Sequence, residues 1–182
     1  MKRSILLWQV AGLTFASILG TILHFLFKWT GYSLIIAPFA AVNESTWEHM
    51  KLAFFPMFIF AIIQSRYFAK TNARFWRIKL IGTIIALVLI PSTFYTLGGC
   101  FGAYPGWVNI VLFFIALSIA YLVEGIMLRS QRTSEKPFLT TFSIIILIII
   151  GIAFAIFTFH TPKIPLFLDP VSGKYGLKAI SS

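Results

Sequence analysis

Charged residues and cysteines are scarce in this chain of 182 residues. Asp, Glu, Lys and Arg make up only 11% of the sequence, whereas hydrophobic residues make up 59% and the mean hydropathy is +0.91. A soluble domain of this length does not bury so many apolar side chains in one core, so the composition excludes that class and indicates a polytopic membrane protein. Cys100 is the only cysteine, which excludes an intramolecular disulfide and a thiolate metal site.

Several familiar motifs are also absent. The chain has no internal repeat, no glycine-rich nucleotide-binding motif and no serine nucleophile elbow. The net charge of +10 does not indicate a nucleic-acid partner, because basic loops facing anionic lipid headgroups account for it. The expected partners are therefore the lipid bilayer and, at the cytoplasmic loops, its anionic lipids.

Five apolar windows have the length of a membrane-spanning helix, since about 20 residues rising about 1.5 Å each cross a hydrocarbon core of about 30 Å. The windows are residues 4–26, 47–68, 78–98, 107–128 and 138–160. We therefore predict an all-α transmembrane bundle over residues 1–160 and a separate tail over residues 161–182. The apolar run Tyr32–Val42 is too short to cross and contains Pro38, so we predict an interfacial or re-entrant segment, with six crossings as the alternative.

The distribution of basic residues predicts the orientation of the bundle. Ten of them fall on the side of the N-terminus: Lys2, Arg3, Arg66, Lys70, Arg74, Arg77, Lys79, Arg129, Arg132 and Lys136. The other five fall on the opposite side: Lys28, Lys51, Lys163, Lys174 and Lys178. Because basic residues hold short loops in the cytoplasm, the N-terminus is predicted to lie inside and the tail outside.

The rare ionisable residues gather on the predicted outer side, which holds all three histidines and three of the five carboxylates. These outer residues are His24, His49, His160, Glu44, Glu48 and Asp169. The two remaining acids, Glu124 and Glu135, lie toward the inside. Ionisable side chains in or beside a membrane span are energetically costly, so they usually face the bundle interior and mark a site.

Helix one carries a row of small residues at intervals of four. Gly12, Ala16 and Gly20 form the row, and His24 continues it. Small residues at this spacing let transmembrane helices approach closely, so we expect His24 to face a neighbouring helix. The same row permits a homo-oligomer as well as packing within one chain.

The stretch NESTWEHMK, residues 43–51, has two interpretations. In the first, Ser45 and Glu48 form a capping box at a helix start, and Lys51 extends its ammonium group to the interface. This interpretation leaves Glu44 and the two nearby histidines unexplained. In the second, the stretch belongs to a functional site.

Two chemistries fit such a site. Imidazoles and carboxylates hold Zn²⁺ or a similar divalent ion, and a carboxylate then activates a bound water. The candidate metal ligands are His24, His49, His160 and Asp169, and the candidate catalytic residues are Glu48, His49 and Glu44, with Glu48 as the base. Alternatively, a Glu/His pair transfers protons or binds a ligand without metal. The spacing does not match H-E-x-x-H, so no motif decides between them.

Glu124 lies apart from this cluster, toward the cytoplasmic end of helix four. We expect it to pair with Arg129 or with the basic segment 65–79, since an unpaired charge is costly there. A polar path from the outer site to Glu124 would instead indicate a transporter.

The tail combines prolines with an apolar stretch. Pro162, Pro165 and Pro170 oppose a helix, and the residues after Asp169 are typical of a turn. The apolar sequence IPLFL favours a flap that lies back over the outer polar region, whereas a disordered terminus is the alternative.

Three segments together resemble a family of small multispanning bacterial membrane proteins of unknown function. They are LHFLFKWTGYS at the end of helix one, NESTWEHMKLAFFPM with its NES-x-WEH motif, and TPKIPLFLDPVSGKYGL in the tail. The resemblance implies that these residues belong to the family pattern: Asn43, Glu44, Ser45, Trp47, Glu48, His49, Asp169, Tyr175 and Gly176. It also implies the cytoplasmic membrane of a bacterium, but no activity.

The leading hypothesis is a metal-assisted enzyme or binding protein with an outward-facing pocket built by helices one, two and five and the tail. Its substrate would be small or lipidic and would be reached from the outer leaflet. A small transporter or ion-coupled permease is the first alternative, and a noncatalytic accessory subunit is the second.

Overall fold

Five long helices follow one another in the structure, a computed structural model that describes residues 2–102, 104–130 and 136–180. They are α1 (Lys2–Trp29), α2 (Thr46–Phe68), α3 (Phe75–Phe101), α4 (Trp107–Arg129) and α5 (Pro137–Phe159). Each is long and apolar enough to span a membrane, and the described ranges contain no strand. The predicted all-α fold is confirmed, and the helix ends differ from the predicted windows by a few residues. Arg132 and Glu135 lie outside the described residues.

The segment between α1 and α2 does not form a sixth crossing. Residues 30–45 form turns and bends, in which the backbone N–H of Ala37 donates to the carbonyl of Ser33 over 3.1 Å. The N–H of Ala41 donates to the carbonyl of Leu23 over 3.2 Å, which ties the segment back to α1. The alternative with six crossings is therefore wrong.

Helices α1 to α4 form a ring in which each helix packs on two neighbours. α1 contacts α2 and α4, and α3 contacts the same two helices. α5 lies outside the ring, mainly against α3. We call the end of the bundle that carries residues 161–180 the tail end, and the opposite end, where residues 69–74 connect α2 to α3, the basic end.

The small-residue row of α1 faces its neighbours, as predicted. Ala16 is fully buried. A Cβ atom added at Gly12 would lie 2.7 Å from the Phe60 ring, and one added at Gly20 would lie 3.0 Å from the carbonyl oxygen of Leu52. Both glycines therefore allow α1 to approach α2 more closely than a larger residue would permit.

A layer of buried apolar side chains separates the two ends of the ring. On α2 it contains Ala53, Met57 and Phe60, and α4 contributes Leu117. From Ala53 to Phe60 the layer is about 10 Å thick at the rise of an α-helix. It divides the polar groups of the tail end from those of the basic end.

The tail forms short turns, in agreement with its prolines. Two 3₁₀ turns, Pro165–Phe167 and Gly176–Ile180, lie at either side of a chain reversal. Leu168 and Tyr175 form an isolated antiparallel bridge across that reversal. The predicted turn after Asp169 is present, and the 3₁₀ turns are the only helical elements between residues 161 and 180.

The apolar part of the tail rests on the tail end of the bundle. The ring of Phe167 is buried, 4.6 Å from the ring of Trp47. The side-chain amide of Asn43 donates to the carbonyl of Gly176 over 3.0 Å. These contacts agree with a flap that lies back on the bundle and not with a disordered terminus.

Candidate metal centre

Three ionisable side chains meet at the tail end of the ring. His24 comes from the last turns of α1, His49 from the first turn of α2, and Glu44 from the segment between them. Nε2 of His24 lies 3.6 Å from one carboxylate oxygen of Glu44, and Nε2 of His49 lies 3.7 Å from the other. One ligand atom from each residue can be chosen so that all three lie within 4.8 Å of one another. We call these residues the His–Glu–His cluster.

The start of α2 places His49 and Glu44 on neighbouring positions. Ser45 caps the helix, and its hydroxyl accepts the backbone N–H of Glu48 over 3.4 Å. The side chain of Asn43 accepts the N–H of Ser45 over 2.9 Å, in the place that a capping-box carboxylate would take. The cap therefore forms with Asn43 instead of Glu48 as its second partner, and the local turn presents Glu44 toward His49.

The imidazole of His49 is held by its own helix. Nδ1 lies 2.9 Å from the carbonyl oxygen of Ser45. A carbonyl oxygen only accepts hydrogen bonds, so Nδ1 carries the proton and donates it. In the neutral ring this leaves Nε2, which lies 3.7 Å from Glu44, with a free lone pair. Metal-binding histidines are commonly held in this tautomer by a backbone carbonyl.

Glu48 is not part of the His–Glu–His cluster. Its carboxylate lies 2.6 Å from Nζ of Lys51 and accepts the backbone N–H of Val42 over 3.0 Å. Lys51 also donates to the carbonyl of Ala37 and to the hydroxyl of Thr158, over 2.8 and 3.0 Å. Both side chains are buried. Lys51 therefore does not extend its ammonium group to the interface, and the carboxylate of Glu48, a candidate base, is engaged in an ion pair.

The two remaining candidate ligands lie elsewhere. His160 is exposed at the end of α5. The carboxylate of Asp169 accepts the backbone N–H of Val171 over 2.9 Å and the hydroxyl of Ser172 over 2.7 Å, so it stabilises the tail turn. Among the described residues, the only cluster of three potential metal ligands is the one formed by His24, Glu44 and His49.

A cavity of about 560 Å³ opens beside the cluster. Its lining comes from α1, the segment between α1 and α2, α2, the start of α4 and the tail turn. The expected contribution of helix five is therefore wrong, and helix four takes its place. The lining residues are Gly20, Thr21, His24, Phe25, Glu44, His49, Leu52, Gly106, Asn109, Ile110, Phe113, Phe114, Pro170 and Val171. The cluster is thus reachable from a cavity whose walls are mostly apolar.

Asn109 is a polar lining residue that the sequence analysis missed. The hydroxyl of Tyr104 donates to its side-chain oxygen over 2.9 Å. Tyr104 lies in the loop between α3 and α4, and burial raises the pKa of its hydroxyl, so this group stays protonated and remains a donor. With its oxygen engaged, Asn109 keeps its amide N–H groups for donation. An amide in the first turn of a helix, followed by the apolar run Ile110–Leu117, was the available signal.

The basic end holds a second buried polar group. Glu124 of α4 pairs with Lys79 of α3, and both are buried. The side chain of Gln9 donates to Glu124 over 3.2 Å and accepts from Gln64 over 3.1 Å. Glu124 was expected to pair with Arg129 or with the basic segment 65–79, and it pairs with Lys79, the last residue of that segment. Lys79 lies inside the bundle and not in a loop.

Five spanning helices with a polar cluster in a cavity at one end define the class, a multi-pass helical membrane protein. The chain belongs to a family of unknown function, DUF6512, which it matches over residues 2–177. The expectation of a family without a known activity is therefore confirmed. Neither a curated protein nor a solved structure matches the chain.

Proposed function

We propose that this protein is a metal-dependent membrane enzyme that holds a divalent transition metal, such as zinc, in the His–Glu–His cluster and hydrolyses a substrate in the adjoining cavity. The observation that carries the proposal is the convergence of His24, Glu44 and His49 beside that cavity. Imidazole and carboxylate groups are common ligands of zinc.

The spacing of the cluster fits a tetrahedral ion. Two ligands about 2.1 Å from a tetrahedral zinc lie about 3.4 Å apart. The two carboxylate oxygens of Glu44 lie 3.6 and 3.7 Å from His24 and His49, and one ligand atom from each residue lies within 4.8 Å of the others. Side-chain movements on the order of 1 Å would bring the three ligands to that spacing. Three protein ligands leave the fourth position open, which is the arrangement of catalytic zinc sites.

Hydrolysis is the reaction class that these groups support. A metal ion lowers the pKa of a bound water toward neutrality and makes it a nucleophile. Glu44 would be a ligand, and Glu48 is neutralised by Lys51, so the cluster does not depend on a separate carboxylate base. The amide of Asn109, which also lines the cavity, is suitably placed to donate to a substrate oxygen.

Transport is less well supported. The apolar layer of Ala53, Met57, Phe60 and Leu117 lies between the cavity and the basic end. No residue of the Lys79–Glu124 group lines the cavity. A closed floor of this kind favours an enzyme or a binding protein over a permease.

The proposed location is the cytoplasmic membrane of a bacterium, with the tail end outside. Ten of the fifteen basic residues fall on the side of the N-terminus, which is typical of the cytoplasmic face. The cavity would then face the exterior and the outer leaflet.

The first experiment is elemental mass spectrometry of detergent-purified protein prepared without chelators. The wild type is compared with His24→Ala, Glu44→Gln and His49→Ala, and the matched control is His160→Ala, which removes the exposed third histidine. About one zinc or similar ion per chain, retained by the control and lost at least tenfold in the other three, would support the proposal.

Two outcomes would contradict it. One is a wild-type protein that contains no metal and takes up none from added Zn²⁺ or Co²⁺. The other is a metal that His160→Ala loses as readily as the cluster variants. Because loss of folding also releases a metal, each variant is checked for elution as a single species and for an unchanged helical circular dichroism spectrum.

A further inference from the structure

The cavity opens sideways between α1 and α4. These helices are in close contact near Gly12, where an added Cβ would lie 2.5 Å from the Tyr121 ring. Toward the tail end the cavity lies between them. Two of its lining residues, Phe25 of α1 and Ile110 of α4, are also 44% and 59% exposed on the bundle surface. Both lie within helices that are long and apolar enough to span a membrane, so in a bilayer the opening would face lipid.

The depth of the opening corresponds to one leaflet. Along α4 the lining extends from Gly106, which caps the helix, to Phe114, about 12 Å at the rise of an α-helix. Half of a hydrocarbon core of about 30 Å is about 15 Å. The cavity is therefore open to the acyl chains of the leaflet at the tail end and ends above the apolar layer.

The cavity is polar at one end and apolar at the other. The His–Glu–His cluster lies at its tail end, whereas Leu52, Phe113 and Phe114 line the deeper part. Pro170 and Val171 of the tail line it as well. A volume of about 560 Å³ is typical of a small-ligand site and holds a headgroup with the first part of one chain.

The charge of the site indicates which headgroup it accepts. Among the described residues that line the cavity there is no Lys or Arg, so the protein offers no permanently charged cation to an anionic group there. A divalent metal beside the single carboxylate of Glu44 leaves a net charge of about +1, and a zinc that already holds the attacking water gains a fifth position when its coordination expands. An oxyanion such as phosphate is the natural ligand for that position.

We infer that the substrate is a lipid with a phosphate-bearing headgroup, which enters from the bilayer between α1 and α4 and places its phosphate on the metal. This inference rests on the proposed metal site and adds the class of substrate and its route. The chain would lie against Phe25 and Ile110 and continue into the surrounding leaflet.

The test is native mass spectrometry of the zinc-loaded protein titrated with dioleoyl phosphatidic acid. Thr21→Trp places a large side chain on an exposed lining position between the two helices. Ile18→Trp is the matched control, because it is 57% exposed on the same helix and does not line the cavity. We expect Thr21→Trp to weaken lipid binding at least tenfold with zinc unchanged, and Ile18→Trp to change neither.

A second pair of measurements separates lipid phosphate from free phosphate. Excess inorganic phosphate should compete only weakly, because it lacks the chain, and a chelator should reduce lipid binding at least tenfold. Equal binding by Thr21→Trp and wild type, or full displacement by inorganic phosphate at the lipid's concentration, would overturn the inference while the metal site stands. Absence of zinc in the wild type would overturn the proposed function and this inference with it.

Discussion

Glu44 and Glu48 lie in the same short stretch, yet their carboxylates have different surroundings. The side chain of Glu44 is 47% exposed, and its nearest ionisable partners, His24 and His49, lie 3.6 and 3.7 Å away. The side chain of Glu48 is 3% exposed and lies 2.6 Å from Lys51. Glu48 has its charge neutralised and its oxygens engaged, whereas Glu44 retains unused coordinating capacity. This unused capacity supports the proposed role of Glu44 as a metal ligand.

The comparison predicts that the largest loss of stability follows from breaking the buried pair. Lys51→Met leaves the Glu48 carboxylate buried without its cation, so we expect the free energy of unfolding to fall by about 3–5 kcal/mol. The measurement is chemical unfolding in detergent with metal chelated. The double variant Glu48→Gln/Lys51→Met should recover most of the loss, because it also removes the unpaired charge. A single variant as stable as the wild type would contradict this role.

A smaller loss of stability is expected at Gly82, which packs against the buried Lys79–Glu124 pair. A methyl group added at Gly82 would overlap the carboxylate of Glu124, so Gly82→Ala should destabilise the bundle by about 1–3 kcal/mol. Gly98→Ala, on the same helix with open space around it, is the control and should be neutral or slightly stabilising. Thermal unfolding in detergent distinguishes the two. Equal melting temperatures would show that the Lys79–Glu124 pair tolerates displacement.

The turn at Asn43, which positions Glu44, should contribute less to stability than either buried ion pair. Asn43→Ala removes the acceptor for the Ser45 N–H and the donor to the Gly176 carbonyl, so a loss of about 1 kcal/mol is expected. Because the turn also orients Glu44, metal affinity should fall by about tenfold. Isothermal titration with Zn²⁺ measures the second effect. Unchanged affinity would mean that Glu44 is positioned without Asn43.

The smallest effect on stability is expected at Glu44 itself. Glu44→Gln alters a half-exposed group, so the free energy of unfolding of the metal-free protein should change by no more than about 0.5 kcal/mol. The same variant should lose metal binding at least tenfold in a Zn²⁺ titration. If Glu44→Gln proved as destabilising as Lys51→Met, the contrast between the two carboxylates would not hold.

Much of the fold was predictable because membrane spans are local properties of the sequence. A run of apolar residues of sufficient length identifies a helix without knowledge of its neighbours. The row from Gly12 to His24 likewise predicted a packed face from spacing alone. The short segment 32–42 was correctly excluded as a crossing by its length and its proline.

The candidate site was only partly predictable, because its members are distant in sequence. The outer polar residues were expected to share one end of the bundle, but topology alone does not say which of them meet. It grouped His160 and Asp169 with His24 and His49, although the structure places them elsewhere. The sequence pattern also made Glu48 a candidate base. Spacing does not reveal that Lys51 is its buried partner, because both residues also fit an exposed helix cap.

By itself, the sequence determined that this protein lies in a membrane, the approximate extents of its five helices, and that its histidines and three of its five carboxylates lie toward one end. These properties follow from apolar length and from the cost of charge in lipid. Only the tertiary structure decided that Glu44 joins the two histidines, that Glu48 pairs with Lys51, and that the cavity opens between α1 and α4. Those outcomes depend on how the helices are arranged around one another, which hydropathy does not encode, because lipid solvates every apolar helix face equally well.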